Sequence, residues 1–312
     1  MARIGIILAL SIAGSPLCAA ADAGQAGAYL RLGVGARAAA LGDAMAAAVE
    51  GPNAGYWNPA ALAQARRPAL SSSLSLLSLG RQYNTAALQL AWDPEDAPRP
   101  GTFPMGHRAG LGAWSVTWLG FSLGDDFEGR RSDTADFYKF SDRQSAYLLS
   151  HGRPLTPWLA VGAGVKLYER VLESFTASGM GVDLGALMLL GPRVRLGVSS
   201  SELYSQLRWS TGFEERLPLV LRSSLSFDLG AKVRMAGQVT AIEGRNWEAG
   251  AGLEVEPWSG IMGRLGWKGD SPRAGAGFQI PLQAFKIQLD YAYLPDPLRQ
   301  GDTQRLEIHI YF

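Results

Sequence analysis

The chain has 312 residues, with 29 Lys and Arg against 28 Asp and Glu, so its formal net charge is +1. A nearly neutral chain with no long basic run lacks the phosphate-neutralising charge of a nucleic-acid binder. Its 47% hydrophobic content excludes intrinsic disorder, and its one cysteine, Cys18, excludes an intramolecular disulfide. Only 18% of residues are charged, while 38 are glycine and nine are tryptophan. That combination is expected of a transmembrane barrel rather than a soluble domain.

Residues 1–21 read as a secretory signal peptide. Arg3 supplies the positive end, Ile4 to Ala13 the apolar stretch, and Ala19-Ala20-Ala21 the cleavage site. The apolar stretch is shorter than the roughly 20 residues a spanning helix needs. Leu17 directly before Cys18 is a poor fit to a lipidation site.

Residues 22–65 do not alternate. They are rich in Ala and punctuated by Gly33, Gly35, Gly51 and Gly55, with a short helix expected around residues 36–49. The segment is too small for a domain of its own. A barrel of about fourteen strands has a lumen that must be filled or gated. We therefore expect an N-terminal hatch, or plug, inside the barrel.

From residue 66 to 312 the dominant period is two, that of a strand with a different solvent on each face. In the last strand Leu306, Ile308, Ile310 and Phe312 share one face and Arg305, Glu307, His309 and Tyr311 the other. Fourteen such segments are expected: 67–78, 82–92, 108–121, 143–152, 158–170, 178–190, 193–203, 217–228, 231–242, 246–256, 260–268, 273–281, 285–294 and 303–312. The fold class is thus all-β, a transmembrane antiparallel up-and-down β-barrel of about 14 strands, an even number as single-chain bacterial barrels have. Tight turns at Gly191-Pro192, Gly230, 257–260 and 281–284 alternate with longer connections at 122–142, 171–177, 204–216 and 295–302. Short turns on one side and long loops on the other are the outer-membrane pattern. The long connection 93–107 falls on the short side, either as a real excursion or because a strand precedes it.

The run Gly27-Ala28-Tyr29-Leu30-Arg31, then Gly33-Val34-Gly35-Ala36-Arg37-Ala38, then Gly55-Tyr56-Trp57-Asn58-Pro59-Ala60 resembles the N-terminus of the PorV/PorQ outer-membrane proteins. These belong to the wider FadL-like group of hatch-containing β-barrels. One departure is Ala40-Leu41-Gly42-Asp43, where that family commonly has Met-Gly-Gly. The resemblance implies a Gram-negative outer membrane location. It also implies one of two roles. One is transport of a hydrophobic ligand such as a long-chain fatty acid. The other is a non-transporting shuttle with partners in type IX secretion and surface attachment. The terminal Phe312, with apolar residues at alternate positions before it, is similar to the strand signature read by the outer-membrane assembly machinery.

The candidate ligand-binding and gating residues are Arg31, Arg37, Trp57, Asn58 and Pro59. Asn tolerates turn conformations and Pro fixes φ, so Asn58-Pro59-Ala60 is either a gating turn or one that holds the hatch against the wall. Trp57 is placed to anchor that turn. Arg31 and Arg37, with Asp43 and Glu50, need partners if buried, with Glu254, Glu256 or Asp290 as candidates. A role for the arginines in seating a carboxylate headgroup is the alternative.

No enzyme is expected. Ser150 and His151 are adjacent in a strand and point to opposite faces, and no nucleophile-elbow motif occurs. No cofactor or metal is expected. His107, His151 and His309 are far apart without a Cys partner. Gly33-Val34-Gly35-Ala36-Arg37-Ala38 has no strand before it, so it is not a dinucleotide loop. The partners expected are outer-membrane lipid, a hydrophobic small molecule or secretion proteins, and the assembly machinery.

Overall fold

This computed structural model describes residues 26–91, 101–103, 111–123, 128–130, 136–295 and 301–312. The expected signal peptide, Cys18 and His107 lie outside the described residues. The wall has fourteen strands. They are β1 (Ala69–Leu76), β2 (Gln82–Leu90), β3 (Ala113–Ser122), β4 (Asp142–Thr156), β5 (Leu159–Leu172), β6 (Phe175–Leu189) and β7 (Val194–Trp209). The second half comprises β8 (Val220–Asp228), β9 (Val233–Ile242), β10 (Glu248–Trp258), β11 (Ile261–Lys268), β12 (Ser271–Pro281), β13 (Lys286–Leu294) and β14 (Thr303–Tyr311). Each strand pairs antiparallel with its sequence neighbours, and β14 pairs with β1, Tyr311 opposite Ala69. The barrel is therefore closed, and no wall strand is left as an edge.

The period of two sorts the wall by solvent. Leu70, Leu88, Val116, Leu149, Val165, Leu265, Leu289 and Leu306 stand exposed on the outside. So continuous an apolar band is intolerable in water and matches the hydrocarbon of a bilayer. Ser71, Thr85, Ser115, Lys166, Arg264, Asp290 and Glu307 point inward and are buried. They are buried by residues 26–65, which form the hatch within the lumen.

The hatch is a chain of short turns: a 3-10 turn at Ala28–Arg31, helices at Ala36–Ala40 and Ala54–Trp57, and a 3-10 helix at Pro59–Gln64. The helix expected over 36–49 stops after five residues. Gly42 and Asp43 both take positive φ, 65° and 61°, and the left-handed pair turns the chain back. Packing against the wall, not helix propensity, sets its length.

One connection departs from expectation. The predicted loop 171–177 is a two-residue turn, because Leu172 pairs with Phe175 and Glu173 takes φ 53°. Most of the expected long connection 93–107 lies outside the described residues, apart from 101–103. Its Phe103 is buried and donates its N–H to Pro157 O at 2.7 Å, across the β4–β5 turn. We call the end with the tight turns the turn end and the opposite one the loop end. In outer-membrane barrels the first faces the periplasm and the second the outside.

Candidate functional site

The hatch meets the wall in two ways. Gly152, Gly162 and Gly185, on β4, β5 and β6, face the turn at Asn58–Ala60 so closely that a Cβ on any of them would overlap Asn58, Pro59 or Ala60. Gly197 meets Ala46 in the same way, and Gly250, Gly252 and Gly266 meet Ala40 to Gly42. The inward glycines are therefore a dock for the hatch backbone. Asn58 is fully buried there. Its Nδ2 donates to Ala46 O at 2.7 Å and to Ala186 O at 3.0 Å, and its Oδ1 accepts from the Ala60 N–H at 3.1 Å. Asn58 thus caps the following 3-10 helix, with Pro59 in its first position.

Elsewhere the contact is ionic. Arg37 forms a bidentate pair with Glu254, 2.8 Å at both contacts, and Arg264 shares Glu254 at 2.6 Å before reaching Asp290 at 2.7 Å. Glu50 pairs with Arg195 at 2.9 Å and Arg234 at 3.0 Å. Asp43 pairs with Lys268 at 2.9 Å and Arg273 at 3.3 Å. Of the partners expected, Glu254 serves Arg37. Glu256 instead accepts from the Gly260 N–H, and Asp290 from Arg264 and Gln288. Burial alone would raise the Glu50 carboxyl, but the Arg234, Arg195 and Arg37 guanidiniums outweigh it and hold it at about 2. Asp43 is likewise lowered, the charges of Lys268 and Arg273 overcoming its burial.

Three buried side chains of β13 and β14 meet at the hatch: Asp290, Glu307 and His309. Their spacing in the sequence hides this, because the residues pair only across neighbouring strands. His309 Nε2 lies 3.3 Å from Glu307 and 3.6 Å from Asp290. Every carboxylate oxygen here already has a partner. Glu307 accepts from Asn53 Nδ2 at 2.6 Å and from the Ala36 N–H at 2.7 Å, and Asp290 from Arg264 and Gln288. With Arg264 inside the cluster, the donor set suits a hydrogen-bonded hatch clamp better than a cation.

The hatch leaves a cavity on either side. The turn-end vestibule is about 560 Å3 and is ringed by charge, including Arg37, Glu50, Asp228, Arg234 and Glu254. The loop-end cavity is about 180 Å3, lined by Arg31, Tyr56, Trp57, Arg222, Arg245 and Lys268 among others. Trp57 lines both. It is the septum between them, fixed by its Nε1–H to Val34 O at 2.9 Å and by an edge-on contact with Tyr56. The Arg222 guanidinium lies 5.5 Å from the Trp57 ring and 5.7 Å from that of Tyr56. Of the predicted residues, the structure brings Arg31 and Trp57 to the outer cavity and Arg37 and Trp57 to the vestibule. Asn58 and Pro59 sit on the glycine dock, away from both. Arg31 donates to Ala26 O at 3.2 Å, and burial lowers its pKa, as does the nearby charge of Arg245.

Sequence reasoning missed a break in the wall. Between β6 and β7, Ser201, Glu202 and Leu203 all oppose Asp183, since Val182 pairs with Tyr204 and Leu184 with Ser200. Glu202 takes φ 61°. Lys166 holds the bulge, 2.6 Å from Glu202 and 2.8 Å from Asp183, and Asp183 also accepts the Glu202 N–H at 3.0 Å. Beyond Ser201, β7 pairs no longer with β8 but with Glu214 and Glu215, which lie opposite Arg208 and Leu207. Ser205 Oγ bonds both the N–H and the carbonyl of Leu217, each at 3.0 Å, and Pro218 has no N–H to offer. A narrow crevice of about 10 Å3 results, lined by Leu30, Tyr56, Lys166, Glu202, Arg222 and Leu217 among others, and it shares Arg31, Tyr56, Val220 and Arg222 with the loop-end cavity.

No protein-family model and no curated protein matches the chain. Solved structures do. The Ralstonia pickettii toluene transporter TbuX aligns at 14% identity with TM-score 0.57, over 89% of this chain and 97% of that one. A Pseudomonas aeruginosa FadL homologue aligns at 11% with TM-score 0.58, over 89% and 98%. The fold is FadL-like. The Pseudomonas putida toluene transporter TodX agrees, at 14% and TM-score 0.57, over 89% and 96%. At such identities the likeness is one of fold alone.

Proposed function

We propose that this FadL-like barrel sits in an outer membrane and passes a hydrophobic compound from its loop-end cavity sideways into the bilayer through the β7–β8 crevice. The observation that carries this reading is the shared lining of cavity and crevice by Arg31, Tyr56 and Arg222, with Leu30 and Leu217 beyond. The other route runs past Trp57 into a vestibule ringed by ion pairs. Charge does not separate the two routes, since Asp43, Glu248 and Lys268 also line the loop-end cavity; the Trp57 ring between them does. Trp57 accordingly closes the inner route, and Leu217 plugs the lateral one, buried against Gly27. Likeness to the toluene transporters TbuX and TodX supports a hydrophobic cargo, and a long-chain fatty acid fits the arginines of the outer cavity. In this reading the chain is a channel rather than an enzyme. Its exposed Phe312 serves recognition by the assembly machinery.

The test is uptake of a fluorescent long-chain fatty acid, and separately of toluene, into liposomes holding the folded protein. Leu217→Trp should cut uptake at least fivefold, while Trp57→Ala should leave apolar uptake near normal and add an ion leak. Equal uptake by Leu217→Trp and wild type, with the unboiled gel mobility of a folded barrel, sinks the lateral route. A second reading, a PorV/PorQ-type component of type IX secretion, rests on the resemblance carried by residues 27–60. Purification in mild detergent with mass spectrometry of bound species separates the two. A stoichiometric protein partner without enriched apolar ligand selects secretion.

A further inference from the structure

The turn end carries a second cleft, of about 480 Å3, whose chemistry differs from the vestibule beside it. It sits over the end of β14. Lys286 pairs with Tyr311, and Tyr311 with Ala69, so β13 and β1 stand on either side of that end. The chain before β1 and the turn before β13 both reach past it, leaving a notch in the rim. Arg66, Arg67 and Lys286 line the notch, with the inward-facing Gln89 and Tyr311 at its base and Gly51, Gln64 and Ala65 of the hatch on its lumen side.

The vestibule has an acid for nearly every cation, whereas no Asp or Glu lines the notch. Arg66 and Arg67 are exposed, and no described residue forms an ion pair with either. Lys286 lies 4.5 Å from the Tyr311 ring and is otherwise unneutralised. Three like charges around one small cleft repel one another, which costs stability unless an anion completes the group.

The position says which anion. Leu282 and Phe285, on the turn that forms one lip, are exposed, and Phe285 continues the lipid-facing row that runs on to Leu289. On the other lip Arg67 is three residues before Leu70, the first lipid-facing residue of β1. At about 3.3 Å per residue the guanidinium lies within reach of the headgroup layer. An amphipath therefore meets cations at phosphate depth and apolar side chains at acyl depth.

We propose that this notch binds the phosphate of an anionic phospholipid of the inward-facing leaflet, its acyl chains lying along Phe285 and Leu289. The site is independent of what crosses the barrel. It is tested with full-length protein in nanodiscs of phosphatidylcholine with phosphatidylglycerol, counting the lipids retained by native mass spectrometry. Wild type should retain phosphatidylglycerol in preference. Arg66→Gln/Arg67→Gln should lower that retention about thirty-fold, roughly fivefold for each cation, and Lys286→Gln about fivefold. Unchanged unboiled gel mobility verifies that both variants fold, and Lys286→Gln keeps the test open if the double variant does not. Equal retention of the two lipids by wild type, or retention unchanged in folded variants, refutes the site. Displacement of the lipid by millimolar inorganic phosphate would assign the cleft to a soluble anion and overturn the lipid proposal.

Discussion

Two flanks of one hatch are held by opposite physics. Around Asn58–Ala60 the hatch backbone lies directly on Gly152, Gly162 and Gly185, and the contact is steric. Around Arg37–Glu50 close backbone contacts remain at Ala40–Gly42 and Ala46, but the ends of the segment are held by ion pairs through Glu254, Arg195, Arg234, Lys268 and Arg273. Close backbone contact leaves no space between hatch and wall. Long charged side chains leave room, and the vestibule lies on that flank. The seat that closes the lumen and the seat that leaves it open are thus chosen by side-chain size at inward wall positions.

Enlarging a docking glycine should break this contrast most sharply. Gly162→Leu would drive its side chain into Pro59 and cost about 3 kcal/mol or more, since backbone cannot repack as side chains do. Single-channel recordings should show a hatch-free pore in a still-closed barrel. Gly263→Leu is the control, because a Cβ there meets nothing within 4 Å. If both variants conduct alike, the glycines are not a dock.

The ionic flank should respond next. Arg37→Ala leaves Glu254 with Arg264 alone and should cost about 3 kcal/mol in thermal unfolding. A double-mutant cycle with Glu254→Ala should return a coupling of about 1–3 kcal/mol. Strict additivity would mean that the pair does not seat the hatch.

The mildest perturbation is acid. Glu50 is depressed from 4.5 to about 2 in the folded chain. Its contribution is fully present above about 4.5 and is lost as the pH falls through about 2. Hydrogen exchange of the hatch amides should rise over that window while the wall amides stay protected. Glu50→Gln should remove the pH dependence. The effect is modest because Glu50 faces the water of the vestibule.

The expected fourteen wall strands are those observed, because two solvents on two faces impose a period of two that each strand displays locally. Boundaries shifted by a few residues, as for β6, which begins at Phe175 rather than 178. The candidate site was legible only in part. Trp57 and Arg31 do line the outer cavity. Arg222 and Leu217 carried no signal, because an inward Arg between Val220 and Ser224 looks like any lumen residue, and Tyr56 entered only as part of the N-terminal resemblance. Nothing local to the inward glycines says which hatch residue each of them meets.

Composition and alternation alone determined the barrel, its even strand number, its two-sided solvent and the presence of a non-alternating segment to fill it. These are properties of each residue and its near neighbours. The tertiary structure decided which wall glycines dock the hatch, which cations go unpaired and where the β7–β8 ladder fails. Each of these depends on register between segments far apart in the chain, such as Asp183 opposite a three-residue bulge or Gly162 beneath Pro59. A one-residue change of register would turn every such side chain to the other face, and no local pattern carries that information.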